Sequence, residues 1–157
     1  MDIDQTRHYV KISCHTYLDK VISHHGWGNE HYATKPIPMR NDSNYLAILE
    51  LTDGPTEPKE QRTLERQMGF NYRQVIGEAI FAMTLCRIDI APAIIKLSQY
   101  SANPAKCHYQ AAKALMVYLH ATRHDGIYYW RPEPNYELPD KPLPTTISKW
   151  NQLKDYP

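Results

Sequence analysis

The chain has 157 residues, with 18 Lys and Arg against 17 Asp and Glu and a formal net charge of +1. That length suits one modest domain, and a 42% hydrophobic, 22% charged composition excludes wholesale disorder. The near-neutral balance excludes a whole-protein electrostatic attraction to nucleic acid or membrane.

Residues 1–13 read as a β-hairpin, with Ile3 before a polar Gln5-Thr6-Arg7 stretch and Val10 and Ile12 alternating with Lys11 after it. A lone two-stranded hairpin is marginal in water, so it needs a neighbour, and no later segment is an obvious one. Tyr17, Leu18, Val21, Ile22 and His25 then share one face of a helix over 16–25, with Ser13 or Thr16 to cap its start and Gly26 to end it. Residues 27–55 carry Pro36, Pro38, Gly54 and Pro55 with little period and read as a long irregular connection, with a short turn at 46–51. A weaker helix follows, with Thr56 as N-cap, Pro58 in its first turn, Leu64 and Met68 on one side, and Gly69 as its stop.

The middle of the chain has the strongest pattern. Tyr72, Val75, Ile76, Ala79, Ile80 and Met83 follow helical spacing without a miss. Asp89 can cap a helix carrying Pro92, Ile94, Ile95 and Leu97, and Asn103-Pro104 can open one that turns Tyr109, Ala112, Leu115, Met116 and Leu119 inward. Short loops between these three helices predict antiparallel neighbours. Gly126 closes the segment, and 127–130 looks like a strand start. Six of the 12 prolines fall in 132–157, which reads as an extended linker. The expected fold is mainly α: an N-terminal β-hairpin, a small helical bundle and an extended C-terminal tail.

No apolar run approaches the ~18–20 residues that a membrane span needs. The opening Met1-Asp2-Ile3-Asp4 is acidic where a secretory signal would be basic. Three widely spaced cysteines, Cys14, Cys86 and Cys107, suit reduced thiols. The expectation is an intracellular protein, cytoplasmic or nuclear, and not secreted.

The search for chemistry returns little. Paired-metal catalysis needs clustered carboxylates, and the one Asp-x-Asp, Asp2-Ile3-Asp4, has no third carboxylate nearby in sequence. No Gly-rich phosphate loop, His-Glu-x-x-His or Gly-x-Ser-x-Gly occurs. Cys14, His15, His24, His25 and His31 lie close in sequence, but not at the short paired spacings of zinc sites. They read as surface and helix-end residues, with His25 packed. His120 and His124 can share a helical face but lack a third ligand, so no metal or cofactor is expected. Between 71 and 131, seven basic residues stand against three acidic ones, a local +4 with tyrosines interleaved. Such a pattern suits either a solvated helix face or contact along a nucleic-acid backbone.

The segments YRQVIGEAIFAM (72–83), CRIDI (86–90) and AIIKLSQY (93–100) form an ordered series with Asn103-Pro104, HYQAAKAL (108–115), Tyr118-Leu119, Thr122 and GIYY (126–129). The series resembles copia-type LTR retrotransposon polyproteins, between the reverse transcriptase palm and RNase H. The family pattern reads Tyr-Arg-x-x-Ile-Gly, Thr-Arg-Pro-Asp-Ile, a Leu-Ser-x-Tyr/Phe helix, Asn-Pro, and a Tyr-Leu helix ending near Gly-Ile/Leu-x-Tyr. Ile88 stands where the family usually has Pro. YVKIS (9–13), YLDKV (17–21) and Gly26-Trp27 resemble the family's strand and helix after the polymerase catalytic strand.

The resemblance implies a primer-grip-like hairpin at 1–13 and a thumb-like segment at 14–70. It also implies a connection-like helical segment at 71–131 and, at 132–157, a linker towards a missing RNase H domain. The family's Tyr-x-Asp-Asp strand would lie upstream and its RNase H carboxylates downstream, so no catalytic residue carries over. The chain then looks like a truncated, non-catalytic fragment of an RNA-directed DNA polymerase with an ancestral role in holding template–primer. Lys11, Arg73, Lys96, Lys106, Lys113 and Arg123 are the candidate contacts to an RNA–DNA hybrid or other nucleic-acid backbone. The alternative is a non-catalytic helical protein-interaction module. An exposed apolar stripe on the 72–83 helix would favour it.

Overall fold

The computed structural model describes residues 1–29 and 37–131. His31 and the expected linker at 132–157 lie outside the described residues. Among those described, six α-helices pack beside a three-stranded sheet.

Strands β1 (Asp2–Gln5) and β2 (Tyr9–Ser13) form the expected hairpin. Thr6 makes its turn: the Thr6 N–H donates to Tyr9 O at 2.9 Å, and Thr6 Oγ1 accepts from the backbone N–H groups of His8 (3.2 Å) and Tyr9 (3.1 Å). A threonine hydroxyl thus does what Asn-Gly does in tighter hairpins. Strand β3 (Gly126–Trp130) lies antiparallel on β2, with Tyr9 opposite Trp130, Lys11 opposite Tyr128 and Ser13 opposite Gly126. This corrects the expectation that the hairpin had no neighbour in the chain. Two segments more than a hundred residues apart complete each other, and no local period encodes such a pairing. Gly126 permits the approach, because a Cβ there would sit 2.3 Å from Ile12 O. Alternation turns Ile12 and Ile127 towards the core and puts Tyr9, Lys11, Tyr128 and Trp130 on the other face.

Helix α1 (His15–His24) buries Leu18, Val21 and Ile22. Neither Ser13 nor Thr16 caps it; Cys14 holds the N-cap position without a side-chain bond. The Asp2 carboxylate of β1 accepts from the Thr16 N–H (3.1 Å) and hydroxyl (2.6 Å), so the hairpin supplies the cap. These bonds hold the Asp2 carboxyl below its ordinary pKa, chiefly through the Thr16 hydroxyl.

The expected irregular connection is partly wrong, because Ser43–Leu51 is a helix, α2, capped by the Asp42 side chain on Tyr45 N–H at 3.0 Å. Leu49 is fully buried while Ile48 and Leu51 are exposed, so its apolar residues do not fall on one face and leave no period to read. Helix α3 (Pro58–Met68) starts after Glu57 rather than Thr56 and ends at Gly69, whose φ of +80° only glycine adopts without strain.

Helix α4 (Tyr72–Leu85) buries Tyr72, Val75, Ile76, Ala79 and Ala82, with the Asn71 side chain capping Gln74 N–H at 2.9 Å. A 3₁₀ turn at Ile88–Ile90 leads into α5 (Ala91–Ser98), where Ile90, not Asp89, is the N-cap. Helix α6 (Lys106–Ala121) starts after Ala105 rather than at Asn103-Pro104. Asn103 Oδ1 instead accepts from Gln61 Nε2 of α3 at 2.9 Å. His108 replaces the missing cap: its Nδ1 accepts from the Ala105 N–H at 2.9 Å, which leaves Nε2 protonated to donate to Leu49 O at 2.8 Å. Burial pulls the His108 pKa down, in keeping with a neutral ring joining α2 to α6. Leu18, Leu49, Val75, Ile94, Leu97, Leu115, Met116 and Leu119 form one apolar core shared by α1, α2, α4, α5 and α6.

Arg87 stands inside this assembly with 1% of its surface exposed. Its Nε and Nη2 donate to the two Asp89 oxygens at 2.9 and 2.7 Å. Nη1 reaches Thr122 O at 2.9 Å, and Nη2 also reaches Thr122 Oγ1 at 2.7 Å. The Tyr118 hydroxyl donates to Asp89 at 2.8 Å, and the guanidinium lies 5.5 Å from the Tyr118 ring centre. Burial alone would lower the Arg87 pKa and raise that of Asp89. Their mutual hydrogen bonds win, leaving arginine raised and aspartate lowered.

Removing one partner of a buried pair strands the other. Asp89→Asn therefore costs about 2–3 kcal/mol in urea unfolding at neutral pH, less than a fully buried pair would, because 33% of the Asp89 side chain meets water. A depressed carboxyl stabilises the fold above its unfolded pKa and loses that contribution as pH falls through its folded one. The gap between wild type and Asp89→Asn therefore closes below about pH 4. Gly126→Ala forces β3 off Ile12 and costs about 1–3 kcal/mol, read from thermal or urea unfolding.

Candidate nucleic-acid interface

The six candidate basic residues occupy separate settings. Lys11 extends from the central strand, its Nζ 5.4 Å from the Tyr128 ring centre. Arg73, in the first turn of α4, donates from Nε to Ser101 O at 2.8 Å. Lys96 of α5 forms an ion pair with Glu50 of α2 and lies 6.0 Å from the Tyr100 ring centre. Lys106 opens α6 and is exposed. Lys113 lies seven residues on, which returns it to the same side of α6, with Nζ 5.9 Å from the Trp27 ring centre. Arg123, just past α6, pairs with Asp19 of α1 at 3.2 Å and donates to His120 O at 3.0 Å. Helix α6 thus aligns Lys106 and Lys113, whereas Arg73, Lys96, Arg123 and Lys11 each engage a different neighbour.

Arg73 has cationic company outside the six sequence candidates. A groove of about 290 Å³ between α3, the start of α4 and the 101–104 loop is lined by Arg62, Glu65, Tyr72, Arg73 and Ser101. A neighbouring groove of about 390 Å³ is lined by Arg62, Glu65, Arg66 and Phe70. Three arginines therefore line two adjoining grooves that share Arg62 and Glu65, and Glu65 already accepts from Asn71 Nδ2 at 3.0 Å. The signal in the sequence is two arginines four apart on α3. They lie five and nine residues before position 71, where the basic stretch of the sequence begins.

The histidines do other work. His25 Nε2 lies 2.7 Å from Glu78 Oε2, and its ring stacks on Trp27 at 4.5 Å. Helix α6 ends at Ala121, so His124 does not share its face with His120 but meets the His15 ring at 5.6 Å. Among the described residues, no three His, Cys, Asp or Glu side chains are placed to hold a metal ion. All three cysteines are free thiols. Burial pushes the Cys14 thiol up to about 12, reinforced by the Cys86 thiol beside it, which disfavours the reactive thiolate.

Comparison with known proteins yields two relatives of different kinds. The secreted RxLR effector protein 161 of Plasmopara viticola is 33% identical over 60 residues, 38% of this chain and 42% of that protein. The retrovirus-related Pol polyprotein from transposon TNT 1-94 of Nicotiana tabacum is 24% identical over 131 residues, 83% of this chain. The chain resembles a stretch of a transposon Pol polyprotein. That stretch is 9% of the polyprotein, so the chain spans less than half the length of either relative. The Pol likeness is longer than the 72–129 motif series and extends beyond it. No family model and no solved structure matches. Among the described residues, no helix is long and apolar enough to cross a membrane.

The Arg123–Asp19 pair is half open to solvent, so it contributes little to the fold. Arg123→Gln shifts the unfolding free energy by only about 0.2–1 kcal/mol, and addition of salt narrows the difference.

Proposed function

We propose that the chain is a fragment of a copia-type retrotransposon reverse transcriptase that holds template–primer through backbone contacts and has no polymerase or RNase H catalysis of its own. The observation that carries this reading is the ordered motif series over 72–129, within a Pol likeness covering 83% of the chain. The two adjoining grooves lined by Arg62 with Arg73 and by Arg62 with Arg66 support it, because guanidiniums recognise phosphates bidentately. Lys106 and Lys113 along α6, with Lys11, Lys96 and Arg123, add point charges to the same task.

Fluorescence anisotropy of a labelled RNA–DNA hybrid on the full chain tests the proposal. Affinity falls as salt rises, and Arg62→Gln combined with Arg73→Gln reduces the log–log salt slope by about one unit for each phosphate no longer neutralised. Absent or salt-independent binding overturns the reading.

A helical protein-interaction module is the second reading. It draws on Ile80 (38% exposed) and Phe81 (49%) standing out from α4, with Ile88 (67%) just beyond its end. It is the reading that remains if the hybrid does not bind.

A further inference from the structure

The outward face of the sheet carries three aromatic rings that the groove around Arg73 does not use. Tyr128 and Trp130 stand two residues apart on β3, 44% and 50% exposed. Tyr9 packs edge-on against both, at 5.2 and 5.4 Å between ring centres. The Tyr128 and Trp130 planes lie within 19° of each other, with centres 6.3 Å apart. Register fixes this arrangement, because Tyr9 pairs with Trp130 and Lys11 with Tyr128 across the β2–β3 ladder. The rings form one preset unit with two near-parallel members open to solvent.

The surroundings are polar and mainly cationic. Lys11 lies over the Tyr128 ring. Arg7 in the hairpin turn and Arg131 after β3 are exposed. Arg131 is held beside the turn by its N–H donating to His8 O at 2.8 Å. Asp4, opposite Lys11 on β1, is the acidic residue of this face nearest the rings. A face joining a second protein copy would carry aliphatic residues around its rings, whereas here the in-register neighbours are lysine and aspartate. Aromatic faces bordered by cations complement a ligand with flat π-faces and regularly spaced negative charges.

We propose that this face binds single-stranded nucleic acid, with unpaired bases stacking on Tyr128 and Trp130 and the strand's phosphates meeting Lys11, Arg7 and Arg131. A base inside a duplex is already stacked on both sides, so this ligand is distinct from the hybrid. The site lies on different elements from the Arg62–Arg73 groove and shares only Lys11 with the hybrid contacts proposed above, and the inference stands without the template–primer reading.

The test is anisotropy on the full chain with labelled oligo(dT) and, in parallel, the RNA–DNA hybrid. Tyr128→Ala and Trp130→Ala each weaken oligo(dT) binding about 5- to 100-fold, the range expected for removal of one base–ring stack, and leave hybrid binding unchanged. Tyr128→Phe keeps the ring and the affinity. Arg131→Gln lowers the oligo(dT) salt slope by about 0.7. Oligo(dT) also quenches the wild-type tryptophan fluorescence, and Trp130→Phe abolishes the quench while retaining binding. This measurement decides the matter even if an alanine variant fails to fold.

The inference is overturned if oligo(dT) does not bind, or if both alanine variants fold and bind it as wild type does. It is also overturned if a peptide copied from 132–144 binds in a Trp130-dependent way while oligo(dT) does not, which would assign the face to a proline-rich ligand. Loss of hybrid binding with oligo(dT) binding intact counts against the proposed function alone.

Discussion

A buried arginine organises this protein. With 1% of its surface exposed, Arg87 cannot rely on water for its donors. It obtains acceptors from two directions: Asp89 in the following 3₁₀ turn, and Thr122 at the end of α6. The chain leaving α4 and the chain leaving α6 are therefore tied at one point. Tyr118 closes the network by donating to Asp89. Asp89 looks in sequence like a helix cap, but its two oxygens are occupied by the guanidinium, and α5 begins without a side-chain cap.

The same tie sets where α6 ends, and so where β3 begins. Four residues after Thr122, Gly126 enters the sheet against Ser13 of β2. Cys14 then leads into α1, whose start is capped by Asp2 from β1. The hairpin is thus held twice, by a third strand and by a cap across to the helix. A marginal two-stranded element becomes part of the core because the far end of the described chain returns to it. The other face of that sheet displays the Tyr9, Tyr128 and Trp130 rings beside Lys11. Part of the tyrosine excess over phenylalanine acquires a structural context here, and part lies in buried hydroxyls such as Tyr72, which donates to Leu97 O at 2.8 Å.

Charge is distributed with equal economy. A near-neutral total hides a basic middle, but several of those cations engage neighbours: Lys96 with Glu50, Arg123 with Asp19, Arg73 with Ser101 O. The concentration of guanidinium lies instead along α3 and the start of α4, where Arg62, Arg66 and Arg73 border two adjoining grooves. The sheet face presents a different chemistry, aromatic rings beside a lysine rather than clustered guanidinium.

Local periodicity alone determined the helices from Tyr72 to Leu119, the hairpin and the glycine stop at Gly69, because each follows from side chains a few residues apart. Motif order alone pointed towards a Pol-like polyprotein. Tertiary structure decided the rest. It made α2 a helix although its apolar residues point several ways, since burial of Leu49 and the His108 bond to its carbonyl come from α6. It moved three helix caps from adjacent Thr16, Asp89 and Asn103 to other roles, because a polar side chain takes whichever partner the fold brings within hydrogen-bond reach. It paired β2 with β3, and so assembled the aromatic face, through contacts whose sequence separation exceeds any period a chain can display. Long-range register and the choice among competing hydrogen-bond partners depend on the whole packed molecule, and a linear reading contains neither.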